Sequence, residues 1–249
     1  MGAQPLYYTL ALTMPSADES WLQAFSDALH GIAKQYDCAL IGGDTTQGPL
    51  TISLQVHGSV LPASVLRRDG AKIGDKVYVT DCLGDGAASL AMLQGKQVFT
   101  DPHKEYLKQR FYCPEPQINA GIALRGLAHA AVDISDGLLA DCQHMASASD
   151  VDFILDVEQI PLSAACQSVD LALARQWAFS GGDDYQLAFT IPEQNHKALA
   201  QLLTSGKIKA TCIGSVKARG GEKPAVICHY QQQPWSPPWL TQGFDHFAT

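Results

Sequence analysis

The sequence specifies an α/β protein of the layered α+β kind. Short apolar or alternating runs that suit strands are interleaved with stretches whose apolar residues recur at helical spacing, and turn residues punctuate the two. The chain has 249 residues, 46% of them hydrophobic, so it can bury a core without a metal or a disulfide to staple it.

From the N-terminus, Leu6 to Leu12 has strand character. Ser16-Ala17-Asp18-Glu19 is a capping-box pattern, and Trp21, Leu22, Phe25, Ala28, Leu29, Ile32, Ala33 and Tyr36 follow it at helical spacing, which predicts a helix over residues 17–36. Cys38 to Ile41 is a short apolar run, and Gly42 to Pro49 is rich in turn residues and reads as a polar loop. Leu50, Ile52, Leu54 and Val56 then alternate with polar residues, the pattern of a half-buried strand. After Pro62 the texture shifts to a β/α alternation, so residues 1–61 and 62–249 are expected to form two domains. In the second, Lys76–Thr80 and 131–134 read as strands, as do 153–157, 185–191 and 211–216. Gly84-Asp85-Gly86 opens a helix through 87–93, and the pair Pro114 and Pro116 separates two helical stretches. Further helices are expected over 138–146, near 162–174 and over 193–203.

Seventeen Lys and Arg against 25 Asp and Glu leave a net charge of −8, with no basic cluster larger than Arg67-Arg68. Nucleic acid and anionic membranes, which need concentrated positive charge, are thereby disfavoured as main partners. Seven scattered cysteines without a C-x-x-C pair suit free thiols in a reducing compartment. There is no basic N-terminal region and no run of membrane-spanning length, so a cytoplasmic location is expected.

Three segments share one construction: Gly42-Gly43-Asp44-Thr45, Asp133-Ile134-Ser135-Asp136-Gly137 and Gly181-Gly182-Asp183-Asp184. In each, a short apolar run delivers glycine and an acid to its end. Glycines admit a ligand to the backbone and leave N–H groups outward, and strand-end carboxylates can hold a hard cation such as Mg²⁺. In an acidic protein that cation is the direct way to bind a polyphosphate. Any one Gly-Asp pair is also ordinary turn chemistry; it is the set of three that points to a ligand. The Gly84-Asp85-Gly86 turn fits either a plain helix start or an anion contact. No phosphate-binding G-x-x-x-x-G-K-[ST] and no G-x-S-x-G occurs.

Leu40 to Leu50, Arg67-Arg68-Asp69-Gly70-Ala71 through Gly74-Asp75, Asp133 to Leu138, Ser180 to Tyr185 and Gly243-Phe244-Asp245-His246-Phe247 together resemble, in order, the bacterial thiamine-monophosphate kinase family. The resemblance implies the PurM-like two-domain fold of the aminoimidazole-ribonucleotide-synthetase-like superfamily, with an N-terminal domain that forms a homodimer. It implies that ATP and thiamine monophosphate give ADP and thiamine diphosphate. Carried over by position, it makes Gly43, Asp44, Arg68 and Ser135 ATP contacts and Asp44, Asp133 and Asp136 Mg²⁺ ligands. Asp183, at a position more often Glu, and Phe244 become substrate contacts. The family also carries an upstream segment rich in further metal-binding acids, ending just before the Met-Gly that opens this sequence, so the N-terminal domain is expected to be incomplete. Two alternatives follow: a nucleotide-binding fragment that cannot complete the metal cluster, or another ATP-dependent enzyme of the superfamily acting on a purine intermediate or on selenide. The pairing of Gly-Gly-Asp-Thr with Ser-Gly-Gly-Asp-Asp-Tyr favours thiamine phosphate.

Overall fold

The computed structural model describes residues 2–241. The chain divides into two compact units, Ala3–Ala63 and the remainder from Ser64 together with Gly2.

In the first unit, β1 (Gln4–Met14), α1 (Glu19–Gln35), β2 (Ala39–Gln47) and β3 (Thr51–Ser59) form a three-stranded sheet in the order β2-β1-β3. β1 pairs parallel with β2, which follows it through the α1 crossover, and antiparallel with β3; the short Gly48-Pro49 connection leads from β2 to β3, which flank β1 on opposite sides. Three expectations are corrected here. The α1 cap is Asp18, whose carboxylate accepts from the Ser20 and Trp21 amides, so the helix begins at Glu19 and Ser16 is not its cap. The Gly42–Pro49 stretch is mostly strand, because β2 continues through Gly43 and Asp44 in register with Leu10 and Ala11. The Leu50–Val56 row is exposed rather than half-buried: Ile52, Leu54 and Val56 are 43%, 47% and 65% accessible.

The second unit holds β4 (Lys76–Thr80), α2 (Asp85–Leu93), α3 (Asp101–Tyr112), α4 (Ile118–Ala123), β5 (Ala130–Ile134), α5 (Leu138–Ser149), β6 (Asp152–Asp156), α6 (Ala164–Gln167), α7 (Leu171–Ser180), β7 (Gln186–Ile191), α8 (His196–Thr204), β8 (Ala210–Lys217), β9 (Val226–Tyr230) and β10 (Gln233–Pro234). Its seven strands run in the order β10-β9-β6-β8-β4-β7-β5, antiparallel except for β6 with β9. Side chains alternate between the faces: Val77, Val79 and Ala188 join a core with Leu138, Met145 and Phe179 of α5 and α7, whereas Leu187, Phe189 and Ile191 join Leu124 and Leu199 beside α4 and α8. A third cluster, Ala88, Phe99, Leu107 and Ala174, ties α2 to α3 and α7. The single helix expected near 162–174 is two, because Asp170 caps a new helix through the Ala172 and Leu173 amides. That break lets α7 run on to Ser180 and deliver the Gly181-Gly182 segment.

Candidate functional site

β5 and β7 are neighbours, and Ile134 is in register with Gln186, so the turn leaving β5 and the loop entering β7 meet at one end of the sheet. β5 itself carries Asp133, the turn carries Ser135 and Asp136, and the loop carries Asp183. Two hydrogen bonds join them: the Asp183 amide donates to Ser135 O at 3.0 Å and the Tyr185 amide to Ile134 O at 2.9 Å. A Cβ on Gly182 would stand 2.5 Å from Ser135 O, so only glycine permits this approach. Asp183 and Tyr185 both adopt left-handed backbone, φ +66° and +51°, and the Tyr185 hydroxyl donates to Asp183 Oδ1 at 2.9 Å. That bond pushes the Tyr185 phenol up from its ordinary value, helped by burial.

The expectation that these glycine segments turn their amides outward is corrected for several of those amides. The amides of Ser135 and Asp136 donate to Asp141 Oδ2 at 2.9 and 3.1 Å, and Gly181 donates to Trp177 O. At the start of α2, the amides of Gly84 and Gly86 both donate to the Asp184 carboxylate, at 2.7 and 3.0 Å. The helix start therefore does contact an anion, and the anion is the protein's own. Burial pushes both acids up: Asp141 rises against the pull of its two amide donors, and Asp184 rises to about 7 against those of Gly84 and Gly86. Neither acid was singled out in the sequence. The signal for Asp184 was the Asp183-Asp184 doublet beside a strand, where adjacent side chains face opposite ways, so that one acid is exposed and its neighbour buried.

What faces outward is carboxylate and one guanidinium. Asp133 is exposed and Asp136 half-buried, and among the described residues neither carboxylate has a hydrogen-bond or ion-pair partner. The Ala131 amide donates to Arg67 O at 3.0 Å and holds the Arg67–Asp69 segment along the edge strand β5. There Arg67 pairs in bidentate fashion with Asp69, at 2.8 and 2.6 Å, while the exposed Arg68 shares with Asp133 the lining of an open cavity of about 650 Å³. The structure thus gathers Asp133, Ser135, Asp136 and Asp183 around one end of the second unit's sheet, while Arg68 lies alongside β5 near Ala131 and Ser149 and shares a cavity with Asp133 alone of that set. Gly43 and Asp44 lie on β2 of the first unit. There Gly43, at φ +151°, leaves no room for a side chain, since a Cβ would fall 1.8 Å from Leu10 O. The Asp44 carboxylate accepts from the Thr45 amide at 2.9 Å. Phe244 lies outside the described residues.

With the Ser135, Asp136 and Gly181 amides bound within the protein, a polyphosphate at this sheet end would meet mainly acids, with Arg68 beside Asp133. It would need a cation between itself and those acids. No histidine is placed among these side chains, and the carboxylates present suit charge neutralisation and alignment through a cation.

The family model described as AIR synthase related protein, N-terminal domain, matches residues 1–60, and that described as AIR synthase related protein, C-terminal domain, matches residues 72–227. The chain is 45% identical over 251 residues to the thiamine-monophosphate kinase of Salmonella typhimurium, a match that spans 100% of this chain and 76% of that protein. Among solved structures, it resembles the thiamine-monophosphate kinase of Stenotrophomonas maltophilia, at 41% identity and a TM-score of 0.84 over 91% of this chain and 73% of that one. It also resembles AaThiL complexed with AMPPCP and TMP, at 28% identity and a TM-score of 0.80 over 99% of this chain and 75% of that one. Among the described residues no helix is long and apolar enough to cross a membrane.

Proposed function

The chain belongs to the thiamine-monophosphate kinase family, and we propose that it carries out that family's reaction, transfer of the γ-phosphoryl group of ATP to thiamine monophosphate to give thiamine diphosphate and ADP. The observation that carries this reading is the set Asp133, Asp136 and Asp183 at one sheet end, with Arg68 sharing a cavity with Asp133 and no histidine among them. The acceptor is already a phosphate, whose second pKa is about 6, so at neutral pH it attacks as an anion without help from a base. The work left to the protein is to hold two polyanions in line.

In this reading Arg68 and Ser135 contact ATP in the second unit, and Gly43 and Asp44 do so in the first. Asp183 contacts thiamine monophosphate on one side, and Phe244 contacts its rings. Mg²⁺ fits the donors present: among the described residues Asp133 and Asp136 are carboxylates without hydrogen-bond or ion-pair partners, and Mg²⁺ is commonly held by one or two carboxylates together with substrate phosphates rather than by a full protein cage. Among the described residues no group of three or more His, Cys, Asp or Glu forms such a cage. In the second unit Asp133 and Asp136 would hold the ion, which when bound neutralises charge on the phosphates; in the first unit Asp44 is proposed as a further Mg²⁺ ligand. Asp141 keeps the Ser135–Asp136 backbone in place so that the Asp136 carboxylate remains free for this role.

A homodimer formed through the first unit is part of the proposal. Its support is the exposed apolar row Leu50, Ile52, Leu54 and Val56, surface that a second copy would remove from water. Seven free thiols support a cytoplasmic location. Incubation of the chain with ATP, Mg²⁺ and thiamine monophosphate, with an Asp136→Asn control run in parallel, should yield thiamine diphosphate that disappears in the control. Binding of both ligands without product would replace the kinase reading with a binding role.

A further inference from the structure

We infer that Asp184 is a positioning residue: by gripping the first turn of α2 it fixes the backbone that presents Asp183 to the substrate. The inference deepens the kinase reading and takes its substrate from it.

Asp184 is 3% exposed, and each of its oxygens accepts one amide, Gly84 N–H at 2.7 Å and Gly86 N–H at 3.0 Å. α2 has no capping side chain of its own, since its N-cap is Gly84 at φ +90°, so a carboxylate a hundred residues further along the chain does the capping. The same first turn abuts the substrate loop from outside it. A Cβ on Gly86 would stand 2.5 Å from Gly182 O and 2.8 Å from the carbonyl carbon of Asp183. On the opposite side, a Cβ on Gly182 would stand 2.5 Å from Ser135 O, and the Asp183 amide donates to that same oxygen. The Gly182–Asp183 peptide is therefore wedged between α2 and the turn that carries Ser135 and Asp136. Asp183 and Tyr185, on either side of Asp184, hold left-handed backbone that persists only where the surroundings impose it. Asp184 points into the protein while its two neighbours point out, so the anchor and the presented acid are back to back.

The rest of the buried network serves a different purpose. Asp85 accepts from the hydroxyls of Tyr106 and Ser163, both at 2.5 Å, and lies 3.3 Å from Arg110 Nε. These contacts bind α2 to α3 and to the α6 cap and do not touch the substrate loop. They supply a control for a role in stability alone.

In Asp184→Asn the amide can accept one of the two N–H groups but must turn its own NH₂ toward the other. We expect kcat/KM for thiamine monophosphate to fall by about 100-fold, mostly through KM, while KM for ATP changes by less than about twofold. Gly86→Ala keeps the carboxylate and displaces the same peptide from the α2 side, so it should reproduce the split; if the first variant does not fold, this one decides. Tyr106→Phe should lower the melting temperature with KM for thiamine monophosphate unchanged. A folded Asp184→Asn or Gly86→Ala enzyme that keeps its KM for thiamine monophosphate, or whose two KM values rise together, overturns the inference. Amide hydrogen exchange without substrate separates this inference from the kinase reading. Faster exchange at Asp183 and Tyr185, together with Gly84 and Gly86, is expected in Asp184→Asn, and unchanged protection at Asp183 and Tyr185 overturns the positioning link. A wild-type chain that makes no thiamine diphosphate counts against the kinase reading, and the exchange result then decides on Asp184 alone.

Discussion

Both units carry a glycine-acid segment, yet the two are held by different means. In the first, Gly43 and Asp44 sit within a strand, and their place follows from backbone pairing of β2 with β1. Only Tyr8, Leu12 and Met14 are buried apolar side chains there, and β2 and β3 are almost wholly exposed. In the second, Asp136 and Asp183 lie on loops fixed from behind by the buried acids Asp141 and Asp184, over two cores that fill both faces of a seven-stranded sheet. The same short motif can thus be located by a ladder of backbone bonds or by buried side chains, and the energetics should differ accordingly.

The largest effect should come from the second unit's core. Phe189→Ala removes a fully buried ring and should cost about 3–5 kcal/mol by chemical denaturation. A loss under 1 kcal/mol would mean that this core is far less constrained than its burial indicates. Next, Gly43→Ala places a methyl carbon where Leu10 O now is, and should cost about 1–3 kcal/mol, read as lost exchange protection along β1 and β2 while the second unit stays protected. Uniform loss across both units would break the comparison.

The pH dependence tests the buried anchors. Asp184 is pushed up to about 7 from 3.8, chiefly by burial, so in that interval the folded state holds more protons than the unfolded. Its contribution is therefore full below about pH 4 and is lost as pH rises toward about 7. Stability of the second unit should decline over that window more steeply in the wild type than in Asp184→Asn, and parallel curves would show that this carboxylate titrates alike in both states. The smallest effect is expected at Leu54→Ala, which trims an exposed side chain and should change the stability of the monomer by no more than about 0.5 kcal/mol. A concentration-dependent loss measured by sedimentation would instead show that a second copy covers this row.

Strands such as Lys76–Thr80 and helices such as Leu138–Ser149 were legible because their apolar periodicity is unbroken and their ends carry turn residues. The candidate acids Asp133, Asp136 and Asp183 stood out for a related reason: Asp136 and Asp183 each adjoin a glycine at the edge of an apolar run, and Asp133 lies three residues before Asp136 in the same motif. The α6–α7 break was not, since Ser168, Val169 and Asp170 interrupt a pattern that is otherwise continuously helical, and Asp170 acts as a cap only when its carboxylate meets the amides that follow. Exposure of the β3 row was not either, because alternation states which side chains share a face and not whether anything covers that face.

Residue order alone determined the layered α/β character, the net acidic charge, the family and the candidate acids, because these follow from local periodicity, charge and short motifs. Tertiary structure decided which amides remain available to a ligand. Ser135, Asp136, Gly84 and Gly86 give theirs to carboxylates between five and a hundred residues away. Buried polar groups must find partners wherever the fold brings them, and that choice depends on distances in space that no local pattern encodes.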